Sequence, residues 1–90
     1  MATYKVIDKK GFEESQVRAS FADAEGLSLF DTAVKEYAAG SPEKGVWATV
    51  QAGYDMVAAY YSTHDKAYPV GNIDTKAFAQ RAEHLTGELE

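Results

Sequence analysis

Seventeen consecutive residues, 45–61 (GVWATVQAGYDMVAAYY), hold one charge, Asp55. A surface helix carries a charged back face, whereas a helix that is apolar nearly all round is covered by other structure. The run is short for a bilayer span and has Gln51 and Asp55 near its middle, so a membrane helix is not expected. It is therefore read as the central helix of a small fold or as a contact between subunits. Trp47, Val50, Tyr54, Val57 and Tyr61 recur at spacings of 3, 4, 3 and 4, which is one stripe of a helix. Ser41-Pro42-Glu43 supplies a start signal: an N-cap Ser, Pro at the first helical position and an acid in the first turn. Together these predict a single helix over 43–62. Val46, Ala48, Val50 and Ala52 also alternate as a strand would, so a hairpin turning near 53–55 is the competing reading. The start signal and the alanine content favour the helix.

The remaining elements are read in the same way. Tyr4 and Val6 share one face of residues 3–8, and Val17, Ala19 and Phe21 share one face of residues 15–21. Lys9-Lys10-Gly11 lies between them as a turn. Alternation on both sides of a Gly-containing turn predicts an N-terminal β-hairpin, although Glu13 and Glu14 are poor strand residues. Leu27, Phe30, Ala33, Val34 and Tyr37 then form a helical stripe. Ser28 is its expected N-cap, Asp31 occupies the capping-box slot and pairs with Lys35, and Gly40 ends the helix. Pro69 and Gly71 punctuate a loop or short strand over 62–73. Asp74 caps a last helix, Ile73 and Phe78 form a hydrophobic staple, Ala82 and Leu85 continue the stripe, and Gly87 stops it. Leu89-Glu90 reads as a cloning remnant. The expected fold is α+β: one domain over 1–90, with a two-stranded antiparallel hairpin packed on three helices and the middle helix most buried.

Composition narrows the function. The chain of 90 residues has no cysteine, which excludes disulfides, thiolate metal sites and a thiol nucleophile. Its net charge of −5 argues against nucleic-acid binding. No apolar stretch near Met1 resembles a signal peptide, so a soluble cytoplasmic protein is expected. Leu, Ile, Val and Phe number 17 of 90, while fifteen Ala and eleven aromatics make up the apolar content. That predicts a thin core rich in Ala and Tyr. A thin core and an apolar helix together motivate cover by a second copy, a homodimer.

Candidate sites follow from residue type. Asp55 is an acid within an apolar run, so it is paired, protonated or placed at the one exposed spot. His64-Asp65 offers an imidazole beside a carboxylate, the ingredients of a general base, though neighbours in sequence rarely hydrogen-bond well. His84 lies near the end of the last helix, where a cation is favoured. The two histidines are twenty residues apart, with no metal-ligand spacing. Residues 40–45 imitate a phosphate loop only in their two glycines, because Val46 and Trp47 stand where Lys and Ser/Thr are required. Glu13, Glu14, Asp23 and Glu25 form an acidic stretch, and Lys5, Lys9 and Lys10 a basic tip.

The function favoured by these residues is a non-catalytic protein–protein interaction module. It would be a homodimer or a small acidic inhibitor or adaptor that binds a basic macromolecular surface. Trp47, Tyr54, Tyr60 and Tyr61 would give contact area, with Asp55 and the acids Glu13, Glu14, Asp23 and Glu25 around them. One alternative is a small-molecule binder with those four aromatics around a cleft. Another is a small enzyme using Asp55 or His64 as general base. No metal, cofactor, nucleic acid or membrane is expected.

Overall fold

The computed structural model of the chain describes residues 7–40 and 43–88. Four helices follow one another: α1 (Glu14–Ala19), α2 (Ala24–Ala38), α3 (Lys44–Thr63) and α4 (Thr75–Glu88). Among the described residues there is no sheet, and the one β-type contact is an isolated parallel bridge between Phe21 and Ile73. The expected α+β class is therefore replaced by an all-helical fold.

The expected hairpin fails at its second strand, which is α1. The alternation of Val17, Ala19 and Phe21 gave weight to Ala19, which is exposed. The residues α1 and its exit bury are Val17, Ser20 and Phe21, spaced 3 and 4 as a helix requires. Glu13 is extended and acts as N-cap, and its N–H donates to Gln16 Oε1 at 2.7 Å. That contact starts a helix where two glutamates made a poor strand. The Lys9–Gly11 turn does form: Lys10 and Gly11 both take positive φ (54° and 85°), and Phe12 N–H donates to Lys9 C=O at 2.9 Å. It leads into a helix. Residues 3–6 of the expected first strand, 3–8, lie outside the described residues, as do the Ser41-Pro42 start signal and Leu89-Glu90.

α2 starts one turn earlier than expected, with Asp23 rather than Ser28 as N-cap. Asp31 pairs with Arg18 of α1, at 2.9 Å to Nε and 3.2 Å to Nη2, instead of with Lys35. Gly40 follows the helix at φ 87° and donates its N–H to Tyr37 C=O, as a helix-ending glycine does. α3 is one unbroken helix, so the competing hairpin near 53–55 does not form. α4 begins after Asp74, whose Oδ1 accepts Ala77 N–H at 2.7 Å. It runs through Gly87 rather than stopping there.

α3 lies at the centre, packed on α4, α2 and α1. Val46, Ala48, Val50, Ala52, Tyr54 and Val57 are buried along it, so its apolar run is covered within one chain. The core holds Ala33, Ala48, Ala52 and Tyr54 against one leucine, Leu85, as expected, and phenylalanines stand at its centre. Phe30 is fully buried and its ring lies 5.5 Å from Phe21, 6.1 Å from Tyr54 and 6.3 Å from Phe78. Gly53 on α3 allows that centre to close: a Cβ there would stand 2.6 Å from Phe30 Cε1.

Candidate functional site

The residues singled out from sequence do not gather into one site. Trp47 and Tyr54 are seven apart on α3 and both face inward, at 8% and 2% exposure. Trp47 Nε1 has no hydrogen-bond acceptor among the described residues. Tyr60 stacks on His64 with ring centroids 3.7 Å apart and planes within 4°. Tyr61 joins a different cluster, with Phe12 at 5.2 Å and Tyr68 at 5.2 Å. The helical rotation between these positions separates the four rings, so they do not enclose one cleft.

Asp55 is paired. Its side chain is 14% exposed; Arg81 Nη2 of α4 lies 3.4 Å from Oδ2, and Gln51 Nε2 donates to Oδ1 at 2.9 Å. Gln51, itself buried, also accepts Asp8 N–H at 2.9 Å and donates to Asp8 C=O at 3.0 Å. The carboxylate thus orients an amide that fastens the N-terminal segment to α3. His64 Nδ1 is 3.0 Å from Tyr60 C=O and 2.9 Å from Thr63 Oγ1. The imidazole is held by the end of its own helix rather than by Asp65.

The acidic stretch divides between two helix starts. Glu13 and Glu14 open α1, and both are exposed. Asp23 opens α2 and reaches across to α4, where its Oδ2 accepts from Thr75 N–H and Thr75 Oγ1, each at 3.3 Å. Glu25 is exposed in the first turn of α2. Burial, followed by the charges of Glu14 and Glu13, raises the Tyr54 phenol above its usual value.

A surface missed from sequence lies between α1 and the 67–72 loop. Ser15, Gln16, Ala19, Tyr68 and Val70 line a groove of about 240 Å³. Tyr68 and Val70 are 45% and 66% exposed. The loop that carries them is tied down at several points. Gly71 N–H donates to Ala19 C=O at 3.1 Å, Ile73 N–H to Ser20 C=O at 2.9 Å, and Ala22 N–H to Ile73 C=O at 2.8 Å. Pro69 between the two exposed side chains is fully buried. The sequence signal was present, as two large apolar residues flanking a loop proline, but it does not say which of the three points outward.

Among the described residues no group of three His, Asp or Glu side chains could hold a metal ion, and no helix is long and apolar enough to cross a membrane. No protein-family model, curated protein or solved structure matches the chain.

Proposed function

We propose that the protein is a non-catalytic interaction module that docks a partner protein on the groove between α1 and the 67–72 loop. The observation that carries this reading is the exposure of Tyr68 and Val70, at 45% and 66%, on a loop fastened by backbone hydrogen bonds to residues 19–22. Exposed apolar side chains grouped on one surface mark contact sites more often than scattered ones do. A pre-ordered loop loses little entropy when a partner binds. Tyr68 also packs edge-on against Phe12 at 5.6 Å, so its ring is presented in a set orientation.

The partner segment that suits this surface is apolar at its centre and basic at its edge. Glu13 and Glu14 are exposed at the start of α1, the helix that forms one wall, and the whole chain carries a net charge of −5. The homodimer expected from sequence rested on a thin core and on α3 needing cover. α1, α2, α4 and the Asp8 segment supply that cover, so a second copy is one outcome of the test rather than a requirement of the fold.

The test places a photo-crosslinking amino acid at position 70, and at Leu29 on α2 as control, since Leu29 is also exposed at 45%. Crosslinking from position 70 alone, to a basic segment, weakened by salt and by Tyr68→Ser, supports the reading. Salt should act because exposed charges are screened over about 10 Å at 0.1 M. Crosslinking to a second copy of the chain would return the function to self-association. Equal yields at both positions, or none at position 70, would overturn the proposal.

A further inference from the structure

The two walls of the groove between α1 and the 67–72 loop differ in chemistry. On the loop side the backbone is already occupied. Gly71, Asn72 and Ile73 donate their N–H groups to the carbonyls of Ala19, Pro69 and Ser20, and Val70 C=O accepts Asn72 Nδ2 at 3.2 Å. What the loop offers an occupant is the side chains of Tyr68 and Val70. The α1 side carries Ser15, Gln16 and Ala19. Gln16 Oε1 accepts Glu13 N–H at 2.7 Å. A backbone N–H can face only the oxygen of an amide, so the capping contact fixes which way the carboxamide is turned. Gln16 Nε2 makes no hydrogen bond among the described residues, which leaves two oriented donors for an occupant.

Those donors call for an acceptor. Glu13 and Glu14 are exposed beside Gln16, and no Lys or Arg lines the groove. Arg18, the cation of α1, is paired with Asp31 at 2.9 Å. A carboxylate is repelled by this surface, and a neutral peptide carbonyl is not. Within a helix each carbonyl already accepts the N–H four residues on. In an extended segment the carbonyls are free.

We infer that the partner segment lies in the groove as an extended chain, with an apolar side chain against Tyr68 and Val70 and a backbone carbonyl accepting from Gln16 Nε2. This rests on the docking reading above and adds to it the partner's conformation and a residue that selects it.

Amide shifts of the 15N-labelled full chain test the inference with two probes. One is the acetylated amide Lys-Pro-Leu-Pro-Lys, whose prolines hold it extended. The other is a lactam-stapled helix carrying the same leucine between two lysines on one face. The expected result is saturable shifts at Ser15, Ala19, Tyr68 and Val70 with the extended probe, and binding of the helix roughly fivefold weaker or absent. Gln16→Glu keeps the oxygen that caps α1, with a residue that suits that position, and removes both donors. It should weaken the extended probe about fivefold, the loss of one net hydrogen bond, while the spectrum stays folded. The added charge by itself strengthens binding of a lysine-bearing probe, so weakening reports the lost donors. Equally tight binding of the helix at these residues, or indifference to Gln16→Glu, would overturn the inference and leave the docking reading in place. No saturable shift from either probe up to about 10 mM overturns it as well, and crosslinking from position 70 then decides the docking reading separately.

Discussion

The carboxamide of Gln51 makes two hydrogen bonds with the backbone of Asp8, accepting its N–H at 2.9 Å and donating to its C=O at 3.0 Å. A side chain on α3 thereby treats residue 8 as a neighbouring strand would, across 43 positions of sequence. The second N–H of the amide goes to Asp55 Oδ1, and Asp55 is steadied by Arg81. The chain from Asp8 to α4 is thus linked through one buried amide. This arrangement explains how the single charge in the apolar run is tolerated: Asp55 sits at the edge of the core, paired and hydrogen-bonded.

Gln51→Ala should release the N-terminal segment. The expected cost is about 1–2 kcal/mol in urea unfolding, the range for losing hydrogen bonds at a partly buried site. Amide exchange at Asp8 should rise in the same variant. If Asp8 exchanges no faster, the amide is not what holds the segment.

Two glycines of α3 should respond oppositely to alanine. At Gly53 a new Cβ would meet Phe30 Cε1 at 2.6 Å, Phe30 Cδ1 at 2.8 Å and Val17 Cγ1 at 3.0 Å. Both neighbours are fully buried, so neither moves freely. Overpacking of this kind costs about 1–3 kcal/mol. At Gly45 nothing lies within 4 Å, and alanine should stabilise by about 0.5 kcal/mol through backbone entropy and helix propensity. Thermal unfolding of the two variants checks the contrast.

Alkaline pH should destabilise the fold through Tyr54. Its folded-state pKa is raised, first by burial and then by Glu14 and Glu13. The native chain therefore holds that proton more tightly than the unfolded chain does. The resulting stability is fully present below the unfolded phenol value of about 10 and is lost as pH rises through the folded value. Tyr54→Phe should flatten this part of the stability profile. Phenolate absorbance should show one tyrosine ionising after the others, and its disappearance in Tyr54→Phe assigns it.

The start of α4 is capped by Asp74 just before it and by Asp23, the N-cap of α2. Asp74→Ala removes the acceptor of Ala77 N–H at 2.7 Å and should cost about 1 kcal/mol, the usual value of an N-cap. Asp23→Ala removes the longer contacts to Thr75, each 3.3 Å, and should cost less. Residue-resolved amide exchange should show Ala77 opening in the first variant and Thr75 in the second.

Val70→Asp should leave stability within about 0.5 kcal/mol, as surface changes usually do, while abolishing partner capture. A large loss of stability would mean that Val70 serves the fold and not a contact.

Local chemistry alone was enough to locate three helices of this protein. The spacing of Trp47, Val50, Tyr54 and Val57 identified α3 as one helix and as the most covered element, because a helix without a charged face has nowhere wet to lie. Asp74 with Ile73 and Phe78 marked the start of α4, and Gly40 the end of α2, since caps act within one turn. What local chemistry could not decide was α1. Val17 and Phe21 suit a strand face or a helix face; in the helix that forms, Glu13 N–H is capped by Gln16 Oε1 and the buried Ser20 Oγ donates to Gln16 C=O at 2.8 Å. Contacts between distant segments lay equally beyond it. Arg18 took Asp31 from Lys35, Asp23 crossed to Thr75, and Gln51 found Asp8, because such partners are chosen by how helices stack and not by distance along the chain. The same stacking decided which aromatics stay outside: Tyr54 went into the core, while Tyr68 was left on the surface by a loop whose backbone is tied to residues 19–22.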